Sequence, residues 1–150
     1  MKTYFAYGSN MNIEQMRRRC PESHLIGVGI LKGYSLTFKG SSISAVATIE
    51  PNEDFEVPVV MWSISEIDEK KLDMYEGFPR LYVKRQIKVH AGKKTVSGFA
   101  YIMTDGKSIG LPSTGYFDII LEGYEENGID TKPLFDALYA VKSKIKCVQN

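Results

Sequence analysis

Two periods of apolar and polar positions run along this chain, and the switches between them mark its elements. Thr3 to Tyr7 is a short apolar run that reads as a buried strand. Gly8, Ser9 and Asn10 follow as a turn: glycine tolerates backbone conformations closed to side chains, and serine and asparagine favour local turns. A helix is expected from Asn12 to Cys20, with Asn12 as cap, Gln15 in the place of a capping-box partner and Pro21 as its stop. Leu25 to Phe38 is a long apolar stretch, one strand or two, bent at Gly27, Gly29 and Gly33. Ala45–Glu50 and Val57–Ile64 read as two further strands joined by a Pro51-Asn52-Glu53-Asp54 turn. That pairing is a hairpin with Met61 and Trp62 on opposite faces.

The period then lengthens. Ser65 caps a helix running to about Tyr75, with Ile67 and Leu72 toward the core and Gly77 and Pro79 ending it. From Tyr82 to His90 the alternation returns: Val83, Ile87 and Val89 face one way, Lys84, Gln86 and Lys88 the other. A turn at Ala91-Gly92-Lys93-Lys94 leads into Thr95–Met103, with Phe99, Tyr101 and Met103 on one face. Gly106 to Pro112 is loop. Thr114–Asn127 carries Ile119, Ile120 and Tyr124 at helical spacing. A last helix opens at Asp130-Thr131, with Pro133 in its first turn and a stripe of Leu134, Leu138, Val141 and Ile145. A strand-rich middle bounded by helices is an α+β domain around a largely antiparallel sheet. Six or seven glycine-rich strands would close it into a small barrel, with the terminal helices outside.

Composition narrows the function. With 150 residues, 43% of them hydrophobic, the chain has the size of a single domain, residues 1–150, with a real core. A net charge of +1 makes no electrostatic case for nucleic acid. The basic run Arg17-Arg18-Arg19, beside Glu14 and Glu22, reads as a solvated helix face in preference to a phosphate-binding patch. No apolar run approaches membrane-spanning length. Cys20 and Cys147 stand alone, without a secretory leader, so a reduced cytoplasmic protein is expected, one disulfide between them being the alternative. His24 and His90 are too few for a histidine-based metal site, and no metal is expected. Oligomeric state has no signature here; a homodimer is compatible with the sequence.

Three groups of residues carry candidate chemistry. A strand, a glycine turn and a helix start at Tyr7-Gly8-Ser9-Asn10 form either a plain turn or a nest of N–H groups suited to a carboxylate or an oxyanion. Glu76 falls at a helix carboxyl end, where unpaired carbonyls disfavour an anion and Tyr75, Phe78 and Pro79 could exclude water. It is either an exposed residue of a helix cap or a carboxyl with a raised pKa, the property of a general base near neutral pH. Tyr7, Tyr82, Tyr101 and Tyr116 either fill the core or line a pocket with their hydroxyls. Ser9 lacks the G-x-S-x-G elbow of a serine hydrolase, and no G-x-G-x-x-G follows a strand.

Taken together these residues resemble the γ-glutamylcyclotransferase family. The resemblance rests on Tyr7-Gly8-Ser9-Asn10 after a first strand and Leu72-Asp73-x-x-Glu76-Gly77 at a helix end. It continues through Tyr82-Val83, Tyr101-Ile102-Met103-Thr104, Pro112-Ser113-x-x-Tyr116 and Asn127-Gly128-Ile129. It implies a mixed, mostly antiparallel β-barrel with flanking helices. It also implies conversion of a small γ-glutamyl substrate to 5-oxoproline and a free amine, without a cofactor. Glu76 would be the acid/base; the backbone of Gly8, Ser9 and Asn10 would hold substrate or oxyanion; Tyr7, Tyr82, Tyr101 and Tyr116 would shape the pocket. Asn10 separates the turn from the Y-G-S-L and Y-G-T-L turns that resemble glutathione- and γ-glutamylamine-specific enzymes, which favours a γ-glutamyl amino acid. A γ-glutamyl amine as substrate stays open, and a γ-glutamyl amide hydrolase and a non-enzymatic binder of a small carboxylate are the other readings.

Overall fold

The computed structural model describes residues 1–149. Its strands are β1 (Lys2–Ala6), β2 (His24–Lys39), β3 (Val46–Ile64), β4 (Tyr82–Ala91) and β5 (Lys94–Met103). They close into a barrel in the order β1-β3-β2-β4-β5. Every pairing is antiparallel except the seam where β1 meets β5 in parallel at Tyr4↔Phe99. The helices are α1 (Ile13–Arg19), α2 (Glu66–Glu76), α3 (Thr114–Glu126) and α4 (Lys132–Gln149). This is the expected α+β barrel, built from five strands rather than six or seven.

The expected hairpin at Pro51 does not form. Both halves of the 19-residue β3 instead pair with β2, from Lys39↔Val46 to His24↔Ser63. Between Lys32↔Glu56 and Tyr34↔Pro51, only Gly33 on β2 faces Asn52, Glu53, Asp54 and Phe55 on β3. The polar segment bulges out there, with Asp54 N–H bonded to Asn52 Oδ1 at 3.2 Å. Its turn chemistry is thus real, but the ladder resumes on the same partner beyond it.

Closing so small a barrel brings backbones together at the seam. A Cβ at Gly98 would lie 2.6 Å from Thr3 O and 2.8 Å from Phe5 Cε2, and the carbonyl belongs to β1. Gly98→Ala is therefore expected to destabilise the fold by about 1–3 kcal/mol, read by chemical denaturation. A variant as stable as wild type would show that β1 and β5 separate freely.

One expectation about packing changed with the fold. Ile67 is 58% exposed, while its neighbours Asp68 and Glu69 are buried beside Leu72. The helix turns that way because the carboxylates have partners: Asp68 Oδ2 accepts from Glu22 N–H at 3.0 Å, and Glu69 pairs with Lys2 and Lys84. Such partners outweigh a single isoleucine. Asn12 caps α1 as expected, its Oδ1 accepting from Gln15 N–H at 3.1 Å, while the Asn12 N–H bonds to Ser9 O. No helix among the described residues is long and apolar enough to cross a membrane.

Candidate active site

At one end of the barrel, a cavity of about 190 Å³ opens between the strand ends and α2. Its wall contains Tyr7, Gly8, Ser9, Asn10, Glu76, Tyr82, Tyr101 and Tyr116, every site residue read from the sequence. Topology explains the convergence. The parallel seam puts the carboxyl ends of β1 and β5 side by side, and β4, antiparallel to β5, starts at the same end. Tyr7, Tyr101 and Tyr82 come from those three places.

After β1 the chain makes one 3₁₀ turn, Ser9–Met11, before α1. Helix α3 clamps this turn: Asn12 Nδ2 donates to Ile119 O at 3.0 Å and Asn127 Nδ2 to Met11 O at 3.0 Å. Gly8 has φ −122°, so it is not in the left-handed region that the turn suggested. Space favours the glycine instead, since a Cβ would lie a tight 3.2 Å from Ala47 Cβ and 3.4 Å from the Tyr116 hydroxyl. The N–H groups of Gly8, Ser9 and Asn10 meet no protein acceptor among the described residues. Trp62 Nε1 donates to Asn10 O at 2.9 Å and fixes the peptide from behind.

Glu76 is the last residue of α2. Gly77 takes the left-handed conformation at φ 66°, its N–H bonding to Met74 O while Phe78 N–H reaches Asp73 O. This paired closure ends the helix and leaves Glu76 half-buried on the cavity wall. Burial pushes its carboxyl up to about 7, against a smaller downward pull from the Arg19 guanidinium. The shield is the expected one only in part: Tyr75 lines the cavity wall, but Phe78 and Pro79 are exposed and stand off it, and Tyr4 and Leu81 take their place.

The tyrosines are held by their hydroxyls. Tyr7 donates to Tyr101 O at 2.5 Å, Tyr82 to Ala47 O at 2.6 Å, and Tyr101 to Asp73 Oδ1 at 2.5 Å. Tyr116 accepts from Ala47 N–H at 2.9 Å, and Ser113 caps its helix by accepting from Tyr116 N–H at 3.3 Å. Burial raises the pKa of each of these phenols, so they are neutral.

The sequence reading missed two residues here, Arg19 and Tyr4. Arg19 is not part of a solvated face. Arg17 and Arg18 are exposed, but the Arg19 guanidinium lies 3.5 Å from the centre of the Tyr75 ring, and its Nη1 donates to Ser9 Oγ at 3.1 Å and Asn10 Oδ1 at 2.5 Å. Arg19 follows the fully buried Met16 by three residues and so shares its helix face. Tyr75, expected beside Glu76, forms the exposed rim. Tyr4 was read as core, although a tyrosine beside Phe5 in an apolar strand asks what its hydroxyl bonds.

Known proteins resemble this chain in both sequence and fold. The family profile described as "Gamma-glutamyl cyclotransferase, AIG2-like" matches residues 4–118. Human gamma-glutamylcyclotransferase is 33% identical over 135 residues, covering 84% of this chain and 71% of that protein. A solved structure of a gamma-glutamyl cyclotransferase superposes with a TM-score of 0.81 at 29% identity, over 94% of this chain and 86% of that one. The fold alone is shared with a yeast γ-glutamyl cyclotransferase described as specific to glutathione, at TM-score 0.64 and 12% identity over 95% of this chain and 96% of that one. A profile that spans the barrel and relatives a third identical to it place the chain: it belongs to the γ-glutamyl cyclotransferase, AIG2-like family.

Proposed function

We propose that the protein converts a γ-glutamyl amino acid to 5-oxoproline and the free amino acid, with Glu76 as general acid/base. One observation carries the reading: a carboxyl whose pKa burial raises to about 7 shares a small cavity with the Tyr7–Asn10 turn and its free N–H groups. The substrate's α-amino nitrogen attacks its own γ-glutamyl carbonyl carbon, and the Glu76 carboxylate accepts a proton from that nitrogen. The carbon–nitrogen bond to the leaving amine then breaks, and the Glu76 carboxyl returns the proton to that amine. Ring closure within one molecule already has a high effective concentration, so the protein's work is to fold the substrate and move one proton. The N–H groups of Gly8, Ser9 and Asn10 receive the oxyanion, and Tyr7, Tyr82, Tyr101 and Tyr116 shape the pocket around the γ-glutamyl chain. This chemistry needs no cofactor. A cytoplasmic setting belongs to the proposal, supported by the free thiols of Cys20 and Cys147.

The test is mass-spectrometric detection of 5-oxoproline from a panel of γ-glutamyl amino acids and amines. Release of glutamate instead would make the protein a hydrolase. Because the base must be ionised, kcat/KM is expected to fall as pH drops through about 7, the value to which burial brings Glu76. Arg19→Gln removes the one cation that pulls Glu76 down, so its pH–rate profile should shift to higher pH. An unmoved profile would place another group on the acid limb.

A further inference from the structure

Six tyrosines line the cavity, and their hydrogen bonds divide them. A phenol has one O–H to give, while its oxygen can also accept. Tyr7, Tyr82 and Tyr101 give theirs to Tyr101 O, Ala47 O and Asp73 Oδ1. Tyr75 stands at the rim under Arg19. Tyr4 and Tyr116 do the opposite: they accept, from Asn10 Nδ2 at 3.0 Å and from Ala47 N–H at 2.9 Å. Among the described residues neither of these two O–H groups meets a protein acceptor.

For Tyr4 the direction is forced. The Arg19 guanidinium has only donors, so the Asn10 amide must turn its oxygen to Arg19, at 2.5 Å, and its nitrogen to Tyr4. Every donor in the series points one way, from a charged group at the protein side toward the cavity, and each polarises the next. The Tyr4 ring is held by Phe99 and Tyr101, with centroids at 5.5 and 5.8 Å. Its only unspent valence is the hydroxyl hydrogen.

We propose that the relay Arg19–Asn10–Tyr4 ends in a substrate contact, the Tyr4 hydroxyl donating to a negatively charged oxygen of the γ-glutamyl unit. Two oxygens of that unit qualify, the α-carboxylate throughout and the attacked carbonyl during ring closure. The proposal rests on reading the cavity as the γ-glutamyl site. Tyr4 acts as a donor and not as a base, because burial, with the nearby Glu76 charge, holds its pKa well above the ordinary tyrosine value.

The experiment compares wild type, Tyr4→Phe and a genetically encoded Tyr4→3-fluorotyrosine, whose phenol is a stronger donor of nearly the same shape. Readouts are kcat and KM for 5-oxoproline formation, calorimetric affinity for 5-oxoproline itself, and Tm. Tyr4→Phe is expected to lose at least tenfold in kcat/KM. A loss carried by KM and product affinity assigns the α-carboxylate; one carried by kcat assigns the attacked carbonyl. The fluorinated variant should then improve the same parameter beyond wild type, which a hydroxyl serving only to support Asn10 would not do. It decides the matter alone if Tyr4→Phe fails to fold. Activity of Tyr4→Phe within twofold of wild type, or a fluorinated variant indistinguishable from wild type, overturns the proposal. Should wild type form no 5-oxoproline, the functional reading fails by itself and calorimetry judges Tyr4. Weaker product binding by Tyr4→Phe then upholds the contact, while equal binding, or none by wild type, overturns it.

Discussion

Glu76→Gln is expected to reduce 5-oxoproline formation by about 10²- to 10⁴-fold, the usual share of a positioned acid/base. Glutamine keeps the size of the side chain and its hydrogen-bonding edge but exchanges no proton, so a loss in the folded variant isolates that one capacity. Stability should move the other way. The folded protein holds the Glu76 proton up to about pH 7, whereas the ordinary value is 4.5. The contribution of Glu76 to stability is therefore complete below its unfolded pKa and is lost as pH rises through about 7. Above that pH wild type carries a buried charge costing on the order of 1–3 kcal/mol that the glutamine variant lacks. Denaturation at alkaline and acidic pH should show Glu76→Gln more stable than wild type in the first and level with it in the second. A variant that turned over like wild type would remove Glu76 from the chemistry; one destabilised at high pH would show the carboxylate to be structurally satisfied.

The second large effect lies beneath the cavity. Lys84 Nζ sits 2.7 Å from Glu69 Oε2 and 2.8 Å from Asp73 Oδ1, and Lys2 reaches Glu69 Oε1 at 3.0 Å. Glu69 keeps only 9% of its side chain exposed. Lys84→Met would leave two neighbouring carboxylates with Lys2 as their only remaining cation in the cluster, and one of them is the acceptor that orients Tyr101. Breaking a fully buried pair costs about 3–5 kcal/mol; the partial exposure of Lys84 and the surviving Lys2 reduce this to about 2–3 kcal/mol. Burial alone would raise the Glu69 pKa, yet its bonds to Lys84 and Lys2 hold it below its usual value. That stabilisation exists above the ordinary carboxylate range and fades as pH falls through the lowered value. The gap between wild type and Lys84→Met should accordingly narrow in acid. A constant gap would assign the loss to packing of the lysine stem against Phe78, whose ring centre is 4.6 Å from Nζ.

Local chemistry was legible in the sequence wherever an element closes on itself. Asn12 capping α1, Ser65 capping α2 and the left-handed Gly77 ending it all depend on residues within four positions of one another. The cavity's membership was legible through resemblance, since no local rule joins Tyr7 to Glu76 or Tyr116. What stayed hidden depended on partners outside the element being read. Pro51–Asp54 looked like the end of a strand because nothing nearby revealed that β2 continues past the bulge. Ile67 looked buried because Lys2 and Lys84, which draw Glu69 inward, are supplied by β1 and β4. Arg19 looked solvated because its acceptors lie across a turn rather than along its own helix.

The parallel seam has a consequence for synthesis. β1 pairs early with β3, but its other edge waits for β5, and the Tyr7–Tyr101 bond spans 94 positions. A ribosome adding about 5–20 residues per second leaves that edge open for several seconds after β3 has emerged. Contacts so distant in the chain also fold slowly, so the barrel should close, and the cavity acquire its floor, only late in the life of the nascent chain. A polypeptide stalled short of Met103 would present the apolar run Tyr4–Ala6 along an uncovered sheet edge, ready to pair with a neighbour instead of with itself.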